Sequence, residues 1–387
     1  MTAETERQAL LTRLFRSPVW GAPMAGGPSS VELAATLAAE GATALLAGGM
    51  RACQQLIEDY RAASTGAESA LAAAGSEIAP GVIGVNLFVP EPANTAIPEQ
   101  RRAADSEERR ERAAAVAAYR ETLLSDAEAA EVELPAATDL NPDDTDGWDE
   151  KLDAAVAERW PLVTFTFGLP APEVFDRLRE AGILTGVTVT SPAEAAAAVR
   201  HGADLLTLQG PNAGGHRSVH DPQADPGQTP LLDLLAEVRF VVGPDVPLIA
   251  AGGIMNSGQV AESLKLGAAA VQCGTAFLRA PEAGTNPTHR LALEQASARM
   301  NLTRTSLTRA YSGRWARGIE NRFQRDHRDA PAAYPEINQL TAPLRAAAQR
   351  RDDVEAISLW AGVGVAKAEA KPATEILRKL TENLISE

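Results

Sequence analysis

Leu248 to Phe277 reads LIAAGGIMNSGQVAESLKLGAAAVQCGTAF. A short apolar run, Leu248 to Ala251, gives way to paired glycines, and Ser257 to Leu266 then carries apolar residues at helical spacing. A second apolar run, Ala270 to Gly274, follows. Strand, helix and parallel strand in about 30 residues form one βα repeat, the unit from which parallel sheets are built. Working outward, the same alternation recurs along the chain. The remaining runs are Val19 to Met24, Ala42 to Ala47, Val82 to Val89, Leu162 to Phe167, Leu184 to Val189 and Leu205 to Gln209, which makes eight strands. Helices are predicted at Ser30 to Glu40, Ala171 to Ala181, Pro192 to His201 and Ser257 to Leu266, several opening on the Ser or Pro that helix N-termini favour. Eight strands with helices between them predict an α/β fold of the TIM (β/α)8 barrel type. An open dinucleotide-binding sheet is the competing arrangement, but no GxGxxG follows the first strand and no acidic residue ends the second.

Two segments fall outside the repeat. Residues 91–160 read as an insertion after the third strand, with a Glu/Arg/Ala-rich helical stretch from Glu99 to Ala130 and an acidic linker, NPDDTDGWD, from Asn141 to Asp149. Composition makes this a solvated surface helix and a loop; a lid over the barrel mouth is the alternative. Residues 281–387 read as helices packed on a barrel spanning 1–280.

The 387 residues are 45% hydrophobic and 22% charged, which is globular composition. A formal charge of −15 argues against a phosphate-backbone partner, whose affinity comes from Lys and Arg. The N-terminal stretch lacks the apolar core of a signal peptide and no later run could span a bilayer, so a cytoplasmic location is expected. Cys53 and Cys273 are far apart, without ligand spacing, and predict neither a disulfide framework nor a metal site. Oligomeric state is left open.

In a βα barrel the loops after the C-terminal strand ends build the active site. Gly252 and Gly253 follow the seventh strand, and the eighth ends in Gln272, Cys273, Gly274 and Thr275. Glycines there let backbone N–H groups approach a phosphate; a simple chain turn is the plainer explanation. Asn86 and Gln209 are amides within apolar strands, and a buried amide needs partners. A flavin's pyrimidine edge would supply them, as would neighbouring backbone. Met24, after Pro23, could pack on a ring or belong to the core.

Together these residues sit in blocks that resemble the nitronate monooxygenase (2-nitropropane dioxygenase) family. The blocks are APMAGG (Ala22 to Gly27), GVNLFVP (Gly84 to Pro90), TFGLP (Thr166 to Pro170), QGPNAGGHR (Gln209 to Arg217), AAGGI (Ala250 to Ile254), QCGTAFL (Gln272 to Leu278), TRAYSGRWARGIENRF (Thr308 to Phe323) and LWAGVG (Leu359 to Gly364). The resemblance implies a barrel holding FMN non-covalently, with contacts from Pro23, Met24, Asn86, Gln209, Gly214, Gly215, Gly253 and the turn Gln272 to Thr275. It implies oxidation of a small anionic substrate, with molecular oxygen as the second small-molecule partner.

Where well-known members of that family carry a histidine base, this chain has Thr166, and threonine cannot hold a proton reversibly near neutral pH. A neutral nitroalkane needs such a base; an ionised nitronate does not. His216 is the candidate replacement, with a packing role as its alternative, and Arg217 beside it would depress its protonation and attract an anion. His201, His220, His289 and His327 read as surface residues. Val363 departs from the glutamine that often follows WAG in the family. A divergent FMN-dependent enoyl or NAD(P)H reductase, a flavin-binding protein without catalysis and a flavin-free barrel acting on a phosphorylated substrate are the competing functions.

Overall fold

The computed structural model describes residues 3–76, 78–299 and 302–384. Eight parallel strands close into a barrel in the order β1 (Val19–Gly21), β2 (Ala44–Ala47), β3 (Ile83–Phe88), β4 (Leu162–Thr166), β5 (Leu184–Val189), β6 (Leu205–Gln209), β8 (Leu248–Ala251) and β9 (Ala270–Cys273). Closure is made by β1 pairing with β9, Trp20 opposite Gln272. The fold is the expected TIM barrel, with strands shortened by one to three residues at several ends. Ser30 and Ser191 cap their helices through their hydroxyls, satisfying N–H groups that the helix itself leaves open.

Two apolar layers fill the barrel wall and its base. Val85, Val163, Val187, Leu206, Ala250 and Val271 join the main core against the surrounding helices. At the base, Trp20, Leu45, Leu162, Leu184, Leu205 and Ile249 pack together against Leu14 of the N-terminal helix Ala3–Leu14. Sealing one end with this helix leaves the other, the C-terminal strand ends, as the open mouth.

The insertion is less solvated than its composition suggests. Val116, Tyr119, Leu123 and Ala127 are buried in a second core with Tyr311, Phe323, Ile337 and Leu340 of the C-terminal region. Their spacing of three and four residues is an apolar stripe within the charged sequence, and a stripe of that kind must be covered. Arg112 adds an ion pair to Glu91 at 2.6 Å and another to Glu336, all three side chains being largely buried. The helical stretch is also broken, into Glu99–Arg102, Glu107–Thr122 and Leu124–Ala130, and the acidic linker ends at a further helix, Trp148–Ala157.

Beyond residue 281 the chain is not helical throughout. Strands β10 (Thr305–Thr308) and β11 (Ala316–Ile319) pair antiparallel, and β11 pairs with β7 (Gly215–His216) in the loop after β6. These runs are too short and too polar to stand out from periodicity. Helix Glu336–Arg350 follows, its Ile337, Leu340 and Leu344 packed on the buried stripe of the insertion. Among the described residues, no helix is long and apolar enough to cross a membrane.

Candidate active site

A cavity of about 420 Å³ opens at the C-terminal strand ends, and every residue singled out from the sequence as catalytic or cofactor-binding lines it. That volume falls in the range of small-molecule sites. The C-terminal region closes the cavity opposite the strand ends, with Ala342, Arg345, Ala346 and Gln349 from helix Glu336–Arg350 and Trp360 beyond it.

At the glycine-rich side, Gly252 and Gly253 adopt φ of +117° and +78°. A Cβ on Gly252 would lie 3.0 Å from the Ala213 nitrogen, and one on Gly253 would lie 2.8 Å from Asn212 Cβ. Only glycine combines that backbone with that proximity. Gly214 packs against Gly362, while the Thr275 hydroxyl accepts the Gly362 N–H at 3.0 Å and ties the WAG loop to the end of β9. Beside them Gln272 is 7% exposed, and its Nε2 has no hydrogen-bond partner among the described residues. A buried donor without a partner is costly, so a ligand in this cavity has a place for an acceptor. Cys273 is buried and its thiol is pushed up to about 12, which makes it an inert packing residue.

The two strand amides differ. Asn86 Nδ2 donates to Thr164 Oγ1 at 2.9 Å and to Thr166 Oγ1 at 3.0 Å. Its Oδ1 has no partner among the described residues and remains available at the cavity wall. Gln209 is satisfied at both ends: Nε2 donates to the His216 carbonyl at 2.8 Å, and Oε1 accepts the Ser218 N–H at 2.8 Å. An open acceptor is thus left on Asn86, whereas both ends of Gln209 are engaged and its polarity shapes the loop after β6. The Met24 backbone N–H donates to the Ser29 hydroxyl at 2.7 Å, which fixes that turn, with Pro23 preceding it on the wall.

Thr166 ends β4 with its hydroxyl between Asn86 and, at 3.4 Å, Thr188. The next residue, Phe167, is a bulky side chain at φ +78°, a strained conformation that clusters at functional sites. Its ring lies 4.3 Å from the Arg314 guanidinium carbon and edge-on to His216 at 5.3 Å. The strain has an anchor: the Phe167 carbonyl accepts from Arg314 and Asn94. Sequence reading missed Phe167 because Phe after Thr in a strand is unremarkable; only the following glycine marks a bend.

His216 is half-buried, with Nε2 2.8 Å from the Ser312 hydroxyl and Trp360 5.4 Å away ring to ring. Burial, with the positive charges of Arg314 and Arg345, lowers its imidazole to about 3. A base that weak is poorly matched to drawing a proton from a carbon acid near neutral pH. Nor does Arg217 act as expected. It is buried, donating to the Pro226, Gln209 and Gly210 carbonyls, and it does not face the cavity. His220, His289 and His327 are also buried, contrary to the surface expectation. Val363 lies outside the cavity lining and is exposed.

A family model for nitronate monooxygenase matches residues 8–383. Nitronate monooxygenase of Pseudomonas aeruginosa is 40% identical over 233 residues, 59% of this chain and 64% of that protein. The probable nitronate monooxygenase of Staphylococcus aureus strain Newman is 35% identical over 238 residues, 60% of this chain and 65% of that protein. These alignments thus span just under two thirds of the curated relatives' length. Crystal structures of nitroalkane oxidase from Streptomyces ansochromogenes include a chain 38% identical, similar over 97% of both chains with a TM-score of 0.81. FabK from Thermotoga maritima, at 22% identity and a TM-score of 0.65, shares the fold over 97% of this chain and 94% of its own.

Proposed function

Since the chain belongs to the nitronate monooxygenase family, whose members are flavin-dependent oxidoreductases, we propose that it is an FMN-dependent oxidoreductase acting on a small nitronate-like anion with molecular oxygen as the acceptor. The observation that carries the reading is the unpartnered Gln272 amide nitrogen in the cavity wall, next to the Gly252–Gly253 turn. An amide donor, the free Asn86 Oδ1 and a side-chain-free glycine turn are what a ring with a polar edge and a phosphate tail require. Pro23, Met24, Gly214, Gly215, Gly274 and Thr275 would complete the contacts, and Gln209 would act by holding the loop that carries His216.

When bound, FMN supplies the electron-transfer chemistry that side chains lack. The chain's own residues bind, orient and exclude water. Phe88, Phe167 and Trp360 line the substrate side with apolar surface, which strengthens polar contacts made inside. His216 stays neutral and offers a hydrogen bond fixed by Ser312. Thr166 accepts the Asn86 amide and moves no proton.

Without a base, the α-proton of a neutral nitroalkane has nowhere to go, so the preferred substrate is the preformed anion. The Streptomyces neighbour is called a nitroalkane oxidase; this chain should instead favour the nitronate. The test is an absorbance spectrum of the purified protein, followed by oxygen consumption with propyl nitronate and with nitropropane at equal concentration. Bound flavin and faster nitronate turnover are expected. A protein that takes up no FMN when it is added refutes the cofactor, and equal turnover of the two substrates refutes the anion preference.

A further inference from the structure

The chain carries 51 acidic residues and a net charge of −15, yet among the described residues no carboxylate lines the main cavity and Arg345 is its one charged lining residue. Arg345 sits on helix Glu336–Arg350. Its Nη2 donates to the carbonyl and side-chain oxygens of Asn338 at 2.7 and 2.9 Å, and its Nε donates to Thr341 Oγ1 at 3.3 Å. Among the described residues, Nη1 has no partner and Arg345 forms no ion pair with a carboxylate. The guanidinium is therefore held in place from one side while its other nitrogen is left open.

A partly buried cation without a counter-ion is costly unless an anion completes it. Burial lowers Arg345 to about 10, so it remains charged at neutral pH. Arg345 Nε donates to Thr341 Oγ1, the Thr341 hydroxyl donates to the Tyr311 carbonyl, and the next residue, Ser312, is hydrogen-bonded to His216; this run of contacts ties the guanidinium to the His216 side of the cavity. Helix packing keeps it there: Leu344 and Ala347, its neighbours in the helix, are buried in the body.

We propose that Arg345 is the specificity-determining residue that binds the substrate's anionic head, a compact planar oxyanion whose oxygens accept from the open Nη1. This rests on the nitronate reading above and deepens it. With Thr166 unable to remove a proton, selection of an already ionised substrate falls to this charge.

The test uses nitrate, a planar monoanion of nitronate shape, titrated calorimetrically into the flavin-loaded protein. Arg345→Gln should weaken nitrate binding about 10- to 100-fold, as expected for loss of a hydrogen bond to a charged group. Arg345→Lys, which keeps the charge but not the fork, should fall between. Flavin content of each variant reports whether the cavity is intact; should Arg345→Gln fail to fold, at least about fivefold weaker binding by Arg345→Lys is required. Nitrate binding by Arg345→Gln within twofold of the unsubstituted protein overturns the proposal, as does failure of the unsubstituted protein to bind nitrate. Turnover separates the two readings. Arginine-dependent nitrate binding without nitronate turnover refutes the activity alone, whereas nitronate turnover with arginine-independent nitrate binding refutes only the role of Arg345.

Discussion

Two histidines held neutral inside the protein should make it lose stability as soon as the solution becomes mildly acidic. His216 is lowered from 6.5 to about 3 and His289 from 6.5 to about 4, in both cases chiefly by burial, with nearby arginines adding to it. The unfolded chain, with ordinary imidazoles, binds more protons than the folded one anywhere between those values and 6.5. Stability therefore rises with pH through this window and falls on acidification. Moving from pH 7 to pH 5 protonates each unfolded imidazole by about 1.5 units past its midpoint, at about 1.4 kcal/mol per unit, or ~2 kcal/mol each and ~4 kcal/mol for the pair. His289→Gln and His216→Gln should each remove about half of the loss, and the double variant most of it. The assay is urea denaturation of the flavin-loaded protein at pH 7, 6 and 5, followed by circular dichroism and flavin release. If the double variant keeps the full pH dependence over this range, the histidines are not its source and the burial argument is wrong. The same reasoning bears on catalysis: a His216 at about 3 predicts no histidine-type acid limb in kcat/KM for nitronate between pH 5 and 7.

Restoring an ionisable group at the end of β4 should restore proton abstraction: Thr166→His should raise the ratio of kcat/KM for nitropropane to that for propyl nitronate by about 10²- to 10⁴-fold, measured by oxygen uptake on both substrates. Gln272→Leu removes the unpartnered donor without adding bulk; FMN should then dissociate more readily by about 1–3 kcal/mol, read by fluorescence of the released flavin, and unchanged affinity would show that the amide faces no ligand. Gly253→Ala places a Cβ 2.8 Å from Asn212 Cβ at a φ of +78°. It should cost about 1–3 kcal/mol of backbone strain, visible as a lower thermal midpoint and as weaker FMN retention.

The barrel was legible because its signal is repeated: eight apolar runs at regular spacing survive an error in any one of them. The insertion was harder. Its charge count hid the stripe Val116, Tyr119, Leu123 and Ala127, although the stripe is present in the sequence and only its partners, Tyr311 and Phe323, were unknown. At the site, glycine turns and strand-end positions could be read locally, since chain geometry alone puts them at the mouth. Gln209 shows the limit of that reasoning. Its partners lie within nine residues, yet whether a loop folds back onto an amide is a tertiary fact. Arg217 and Arg345 show the same limit in opposite senses, one adjacent to His216 in sequence and turned into the loop, the other far from it in sequence and facing the cavity.

Ala342, Arg345, Ala346 and Gln349 recur at the three- and four-residue spacing of a single helix face, while Ile337, Leu340, Leu344 and Ala348 hold the opposite face in the body. The glycine turns and strand amides belong to a different part of the chain. Replacing two or three side chains on that helix could thus redraw what the cavity admits while leaving its floor untouched. Divergence among proteins of this architecture can run along one exposed stripe, and a library confined to those four positions would be the economical way to search for new substrates.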